Sequence, residues 1–202
     1  MNLTTYRKKN RTPSNKHLLS KTIQYIEAKD WYTKSLDAIK SKYGIHTEVF
    51  IDLLAVTSPR TSVKINLRNA ETTLKYFILD KKIDFSYGLA NKAIKNNVDK
   101  IRVKKKYGGQ KVNKFAKALK GDLSQVVIDS WMLKVFNVNR QYPLPNDIKH
   151  IETIIKNIAD KANLKPAEVQ ACLWSYAKTE LNNSTFKEDN DFSFYIKGGI
   201  HE

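Results

Sequence analysis

A single cysteine, Cys172, stands in 202 residues, which excludes an internal disulfide and any cysteine-based zinc cluster. The four histidines (His17, His46, His150 and His201) are scattered without ligand spacing, so no metal and no cofactor is expected. No apolar run reaches the ~18 residues of a membrane-spanning helix, and the N-terminus lacks a signal-peptide pattern. A soluble, cytoplasmic protein with no membrane anchor is the expectation. No stretch alternates apolar and polar residues, and no segment repeats, so the fold class expected is all-α. Acid is scarce as well: Asp+Glu number 20 against 36 Lys+Arg, a net charge of +16 and a pI near 9.7. That imbalance calls for a polyanionic partner, with nucleic acid first and an anionic membrane surface second. The length suits one domain, or two closely packed lobes.

What is present reads as a series of helices. Residues 1–13 form a polar, basic arm, 14–182 the folded body and 183–202 a polar tail with a Phe192–Ile196 patch, either a strand or a docking segment. Ser14 is placed to cap a first helix carrying Leu18, Leu19, Ile23 and Ile26. Asp30 opens a second with Trp31, Leu36, Ile39 and Tyr43 inward, closed by Gly44. Thr47 caps a nearly all-apolar third, Glu48 to Val56. A polar break, Thr57 to Ser62, contains Pro59, and Ser62 caps the next helix, Val63 to Leu79, with Ile65, Ala70, Leu74 and Phe77 on one side and Asn66 near its start. Ser86 begins a further helical region through Leu89, Ala90, Ile94, Val98 and Ile101. Asn146 or Asp147 caps a long amphipathic helix with Ile148, Ile151, Ile154, Ile155, Ile158 and Ala162. Pro166 suits the first turn of the last long helix, Ala167 to Leu181.

The densest charge lies between Lys100 and Lys120, which holds nine Lys or Arg and no acid. Lys104, Lys105, Lys106, Lys111 and Lys114 flank a Gly108-Gly109 turn whose amides could reach a phosphate; solvated lysines on a plain turn are the alternative. A helix from Lys111 ends at a Lys120-Gly121-Asp122 corner. The pattern then predicts a central helix, Leu123 to Phe136, apolar on most sides and interrupted by one acid, Asp129. That acid is either a capping or ion-paired residue, or a carboxylate partly desolvated for chemistry.

In this order the segments resemble the helix-hairpin-helix DNA glycosylase superfamily, the endonuclease III-like enzymes. Ile51 to Asn66 looks like that family's early core helix and DNA-entering loop, and Val126-Val-Ile-Asp129 like the segment bearing its catalytic aspartate. The likeness spans about residues 47 to 180. It departs from the family pattern: the hairpin at Leu119-Lys-Gly121 comes eight positions before Asp129 rather than about twenty, and no lysine matches the bifunctional members' nucleophile. The iron–sulfur cysteines of some relatives are also missing.

The resemblance implies a bundle of about eight to ten helices in two lobes around a cleft. It also implies a monomeric, monofunctional glycosylase of a divergent branch, of the kind found in phages or mobile elements. Its partner would be double-stranded DNA with a damaged or modified base, and its place the nucleoid. Asp129 would be catalytic. Lys104, Lys105, Lys106, Gly108, Gly109, Lys111, Lys114, Lys120 and Gly121 would grip phosphates, while Arg60 and Asn66 probe the opposite strand. Ser58, Trp131, Gln170, Trp174 and Tyr176 would line the base pocket. On residue chemistry alone Asn66 is equally a cap or core residue, an aromatic such as Trp174 at helical spacing is more often core, and Gln170 either reads a base edge or faces solvent. A non-catalytic DNA- or RNA-binding module, or a ribosome-associated basic protein, is the competing class.

Overall fold

The computed structural model describes residues 4–5, 11–81, 92–181 and 191–198. It is an all-α bundle, and no strand occurs among the described residues. The chain divides into two compact units, each discontinuous in sequence: Met1–Tyr32 with Asp122–Asp189, and Thr33–Gly121 with Asn190–Glu202. The Ser86, Leu89 and Ala90 helix start lies outside the described residues.

The first unit contains α1 (Asn15–Gln24), α7 (Ser130–Val135), α8 (Pro145–Ala162) and α9 (Pro166–Glu180), with a 3-10 turn at Ile26–Asp30. Ser14 caps α1, its Oγ accepting from the His17 N–H at 3.2 Å. Leu18 of that helix is fully buried, whereas Ile23 and Ile26 face solvent. Prolines open α8 and α9 at positions where the missing N–H costs no intrahelical bond. Asp147, placed in the first turn of α8 rather than before it, accepts from the Leu144 N–H at 2.7 Å. The isoleucines of α8 (Ile151, Ile154, Ile155 and Ile158) pack with Val169 and Leu173 of α9 and Met132, Leu133 and Phe136 in one core.

The predicted helix Leu123–Phe136 is not formed over its first half; α7 begins only at Ser130. Three local causes act together. The Asp122 carboxylate accepts from both the N–H (3.2 Å) and Oγ (2.6 Å) of Ser124, closing a turn instead of capping a helix. The Leu123 carbonyl is taken by the Ala167 N–H of α9. Val126, Val127 and Ile128 are β-branched in succession, which disfavours helix, and they run as buried non-helical chain, with Val126 and Ile128 in the core.

The second unit contains most of α2 (Trp31–Tyr43), then α3 (Thr47–Thr57), α4 (Val63–Ile78), α5 (Lys92–Arg102), α6 (Gln110–Leu119) and α10 (Phe192–Ile196). Its central helix is α3, which touches α4, α5 and α6. Phe50, Ile51, Leu53, Leu54, Ala55 and Val56 are all buried, as expected of a helix apolar on every side. Thr47 is the first residue of α3, its hydroxyl donating back to the Gly44 carbonyl, rather than its cap. Ser62 does cap α4, accepting from the Ile65 N–H, while Ile65 itself is exposed. The Phe192–Ile196 patch is a short helix capped by Asp191, not a strand; it packs on α4.

Candidate functional site

Asp129 is the N-cap of α7. Its backbone is extended, Oδ1 accepts from the Met132 N–H at 2.9 Å, and Oδ2 accepts from the indole N–H of Trp174 at 3.1 Å. The side chain is half-buried. A carboxylate offers about four lone-pair sites, so two fixed donors orient it and leave acceptor capacity on the open side.

One face of α9 carries the rest. Gln170, Trp174 and Lys178 recur every four residues and therefore align. Gln170 is buried and accepts from the Tyr32 hydroxyl at 2.7 Å. Burial, and then the negative charge of Asp129, push that hydroxyl well above its ordinary pKa, so Tyr32 stays a donor. Trp174 lies beside Trp31, ring centres 6.2 Å apart. The ammonium of Lys178 stands 5.5 Å from the Trp174 ring centre and 4.9 Å from that of Trp131. Lys134, one turn beyond Trp131, places its own ammonium 4.1 Å from the same ring. Asp129, Trp131, Gln170 and Trp174 are thus brought together. Tyr32, Lys134 and Lys178 join them without having been singled out from sequence; for the two lysines the signal was their i+3 and i+4 spacing from Trp131 and Trp174.

Tyr176 is not in this group. Two positions beyond Trp174 it points from another side of α9 and meets His17, Tyr25 and the ammonium of Lys21. There Lys21 bonds both oxygens of Glu180 at 2.7 Å, and the Tyr25 hydroxyl donates to the same carboxylate. Burial would raise the Glu180 carboxyl, but the bonds from Lys21 and Tyr25 and the charge of Lys21 outweigh it and hold the carboxyl below its usual range. A carboxyl lowered on folding contributes stability that is whole above the ordinary glutamate value of 4.5. That contribution shrinks below 4.5 and is gone once the pH falls through the lowered value. Glu180→Gln is therefore expected to flatten the fall in Tm between about pH 6 and about pH 3, modestly, because the exposed pair is screened. Thermal melts of both proteins across that range check it.

Cys172 is buried, which pushes its thiol up to about 12, too high for a thiolate nucleophile at neutral pH.

The cationic strip belongs to the second unit. Lys104, Lys105 and Lys106 are exposed, and Lys111 and Lys114 half-buried. The Gly108-Gly109 turn between them is braced. The Gly108 N–H donates to Asn97 Oδ1 at 2.9 Å, Asn113 donates to the Gly109 carbonyl at 2.9 Å, and the Tyr107 hydroxyl donates to Asp52. The Gly108 and Gly121 amides are engaged within the fold, the latter with the Ala118 carbonyl. Lys120 is held by Asp52 at 2.7 Å and Glu48 at 2.9 Å; burial alone would lower its pKa, but these partners raise it. It is an internal ion pair rather than a free cation.

Gly108 has φ +67°, and a Cβ there would meet Val112 Cγ1 at 2.6 Å; at Gly109 a Cβ meets nothing within 4 Å. Gly108→Ala is expected to cost about 2 kcal/mol and Gly109→Ala less than about 1 kcal/mol, by denaturant melts of each.

Asn66 is a core residue, buried and accepting from the Thr57 hydroxyl at 2.7 Å. Ser58 donates to the Ala55 carbonyl, and Arg60 is exposed in the left-handed conformation (φ 51–62° is shared with a few other polar residues, Arg60 at 62°). These three belong to the second unit and the Asp129 group to the first.

No group of three or more His, Cys, Asp or Glu among the described residues is placed to hold a metal, and no described helix is long and apolar enough to cross a membrane. The described residues define a strongly basic, all-α protein in which a half-buried carboxylate is held by one backbone N–H and one indole N–H. The chain belongs to the family of unknown function DUF7178, whose model matches residues 15–181. No curated protein and no solved structure matches it.

Proposed function

We propose that the protein is a monofunctional DNA glycosylase that removes a damaged or modified base from duplex DNA, with Asp129 as its catalytic carboxylate. The observation that carries this reading is the Asp129 group itself: a half-buried carboxylate oriented by two N–H donors, with open acceptor capacity, beside aromatic rings. The +16 charge supplies affinity for the polyanion. A base inside a duplex must be turned out of the stack before chemistry, at a cost of a few kcal/mol.

The reaction balances simply. The C1′–N bond breaks and the base leaves with the electron pair, while positive charge develops on the sugar. Water then forms the C1′–O bond, passes one proton to Asp129, and that proton is returned to the departing base through solvent. A fixed carboxylate stabilises the cationic sugar and serves as the base for water. A nucleoid-associated, intracellular placement follows from such a substrate. Incubating the protein with duplexes carrying diverse modified bases, followed by alkali and electrophoresis, tests the reading through strand cleavage at the abasic site.

A second reading is favoured by one observation: both oxygens of Asp129 already hold structural donors. On that reading the carboxylate only caps α7 and the protein is a non-catalytic nucleic-acid binder. Intact binding with no abasic product distinguishes it.

A further inference from the structure

We propose that Lys134 and Lys178 together seat one phosphodiester of a polynucleotide chain beside Trp131. This rests on the nucleic-acid partner proposed above, but not on the chemistry of Asp129. The two ammonium groups lie 4.1 and 4.9 Å from the same indole centre, so both cations gather at one ring. Three lysines meet carboxylates, Lys21 with Glu180, Lys42 with Glu71 and Lys120 with Asp52. Lys134 and Lys178 have no carboxylate at ion-pair distance among the described residues, and their neighbour is a ring face instead.

Two like charges gathered around one ring repel, and cation–π attraction relieves only part of that. An anion between them removes the repulsion, and a phosphate offers the acceptor oxygens that two ammonium groups can share. Trp174 borders both functions, its N–H edge on Asp129 and its face under Lys178. The net charge of +16 favours a ligand with many phosphates over a free nucleotide.

The test is fluorescence anisotropy of the full chain with short single- and double-stranded oligonucleotides across a salt series. Far-UV circular dichroism verifies that the variants are folded. Lys134→Gln/Lys178→Gln is expected to weaken binding about tenfold near 0.1 M salt and to reduce the salt slope by about one. Each single variant should show most of that loss, because one phosphate is shared. A neutral methylphosphonate linkage, moved stepwise along the oligonucleotide, should weaken the wild type at one position and leave the double variant unaffected there. Unchanged affinity and slope, an equal methylphosphonate penalty in both proteins, or lysine-dependent binding of a mononucleotide as tight as that of the oligonucleotide overturns the proposal. Base release is measured on the same samples: its absence with the lysine effect intact overturns the glycosylase reading alone, and its presence with no lysine effect overturns this one alone.

Discussion

Asp129→Asn is expected to abolish base release while leaving the fold and DNA binding in place. Asparagine caps helices as well as aspartate does, so its carbonyl oxygen can keep the bond now made to the Met132 N–H at 2.9 Å. The amide nitrogen cannot accept from the Trp174 indole, which loses its 3.1 Å partner. Neither can it stabilise a cationic sugar or take a proton from water. Loss of such a group costs about 10²–10⁴ in rate, against a stability change of about 1–2 kcal/mol for one lost hydrogen bond. Asp129→Ala is the poorer experiment. It removes the cap as well, which costs about 0.5–2 kcal/mol, so that reduced activity and reduced stability would be mixed. Single-turnover base release and thermal melts, run side by side on the asparagine variant, separate the two.

Phe192→Ala is expected to destabilise the second unit by about 3–5 kcal/mol, the ordinary cost of emptying a fully buried aromatic site. Phe192 is 1% exposed, its N–H donates to the buried Ser35 hydroxyl at 3.3 Å, and its ring centre is 6.5 Å from that of Phe115. The short helix it opens is fixed by Asp191, which accepts from the Phe194 N–H at 3.0 Å. Asp191→Ala should cost only about 0.5–2 kcal/mol as a lost cap. Phe194 and Tyr195 remain half-buried, so their replacement by alanine should cost less than that of Phe192. Denaturant midpoints for the four variants establish the order.

These two residues show what a sequence discloses and what it withholds. Caps and starts that depend on neighbouring residues were legible: Ser14, Ser62 and Pro166 act at the helix starts read for them. The central helix was not, because a buried apolar run gives the same pattern whether helical or extended. The decision at residues 123–129 came from Asp122 closing a turn and from the Ala167 N–H, 44 positions away, claiming the Leu123 carbonyl. Phe192 was visible only as an aromatic patch in a polar tail, since its surroundings come from distant stretches of chain: α4, Ser35 of α2 and Phe115 of α6. In the candidate site, Asp129, Gln170 and Trp174 could be named from residue type and spacing. Their joining to Tyr32 and Trp31 could not, because that pairing spans most of the chain. Lys120 shows the reverse: part of a cationic run in sequence, it is neutralised by Glu48 and Asp52 from α3.

The central claim is that the Asp129 carboxylate does chemistry and is more than a helix cap. Mass spectrometry of free bases released from genomic DNA rich in modified bases addresses it directly, with wild type and Asp129→Asn compared at equal DNA occupancy. The account predicts that the wild type liberates one modified base and leaves an alkali-labile site, and that the variant liberates none. Equal release by both proteins, or no release by the wild type from any modified DNA that it binds, contradicts it.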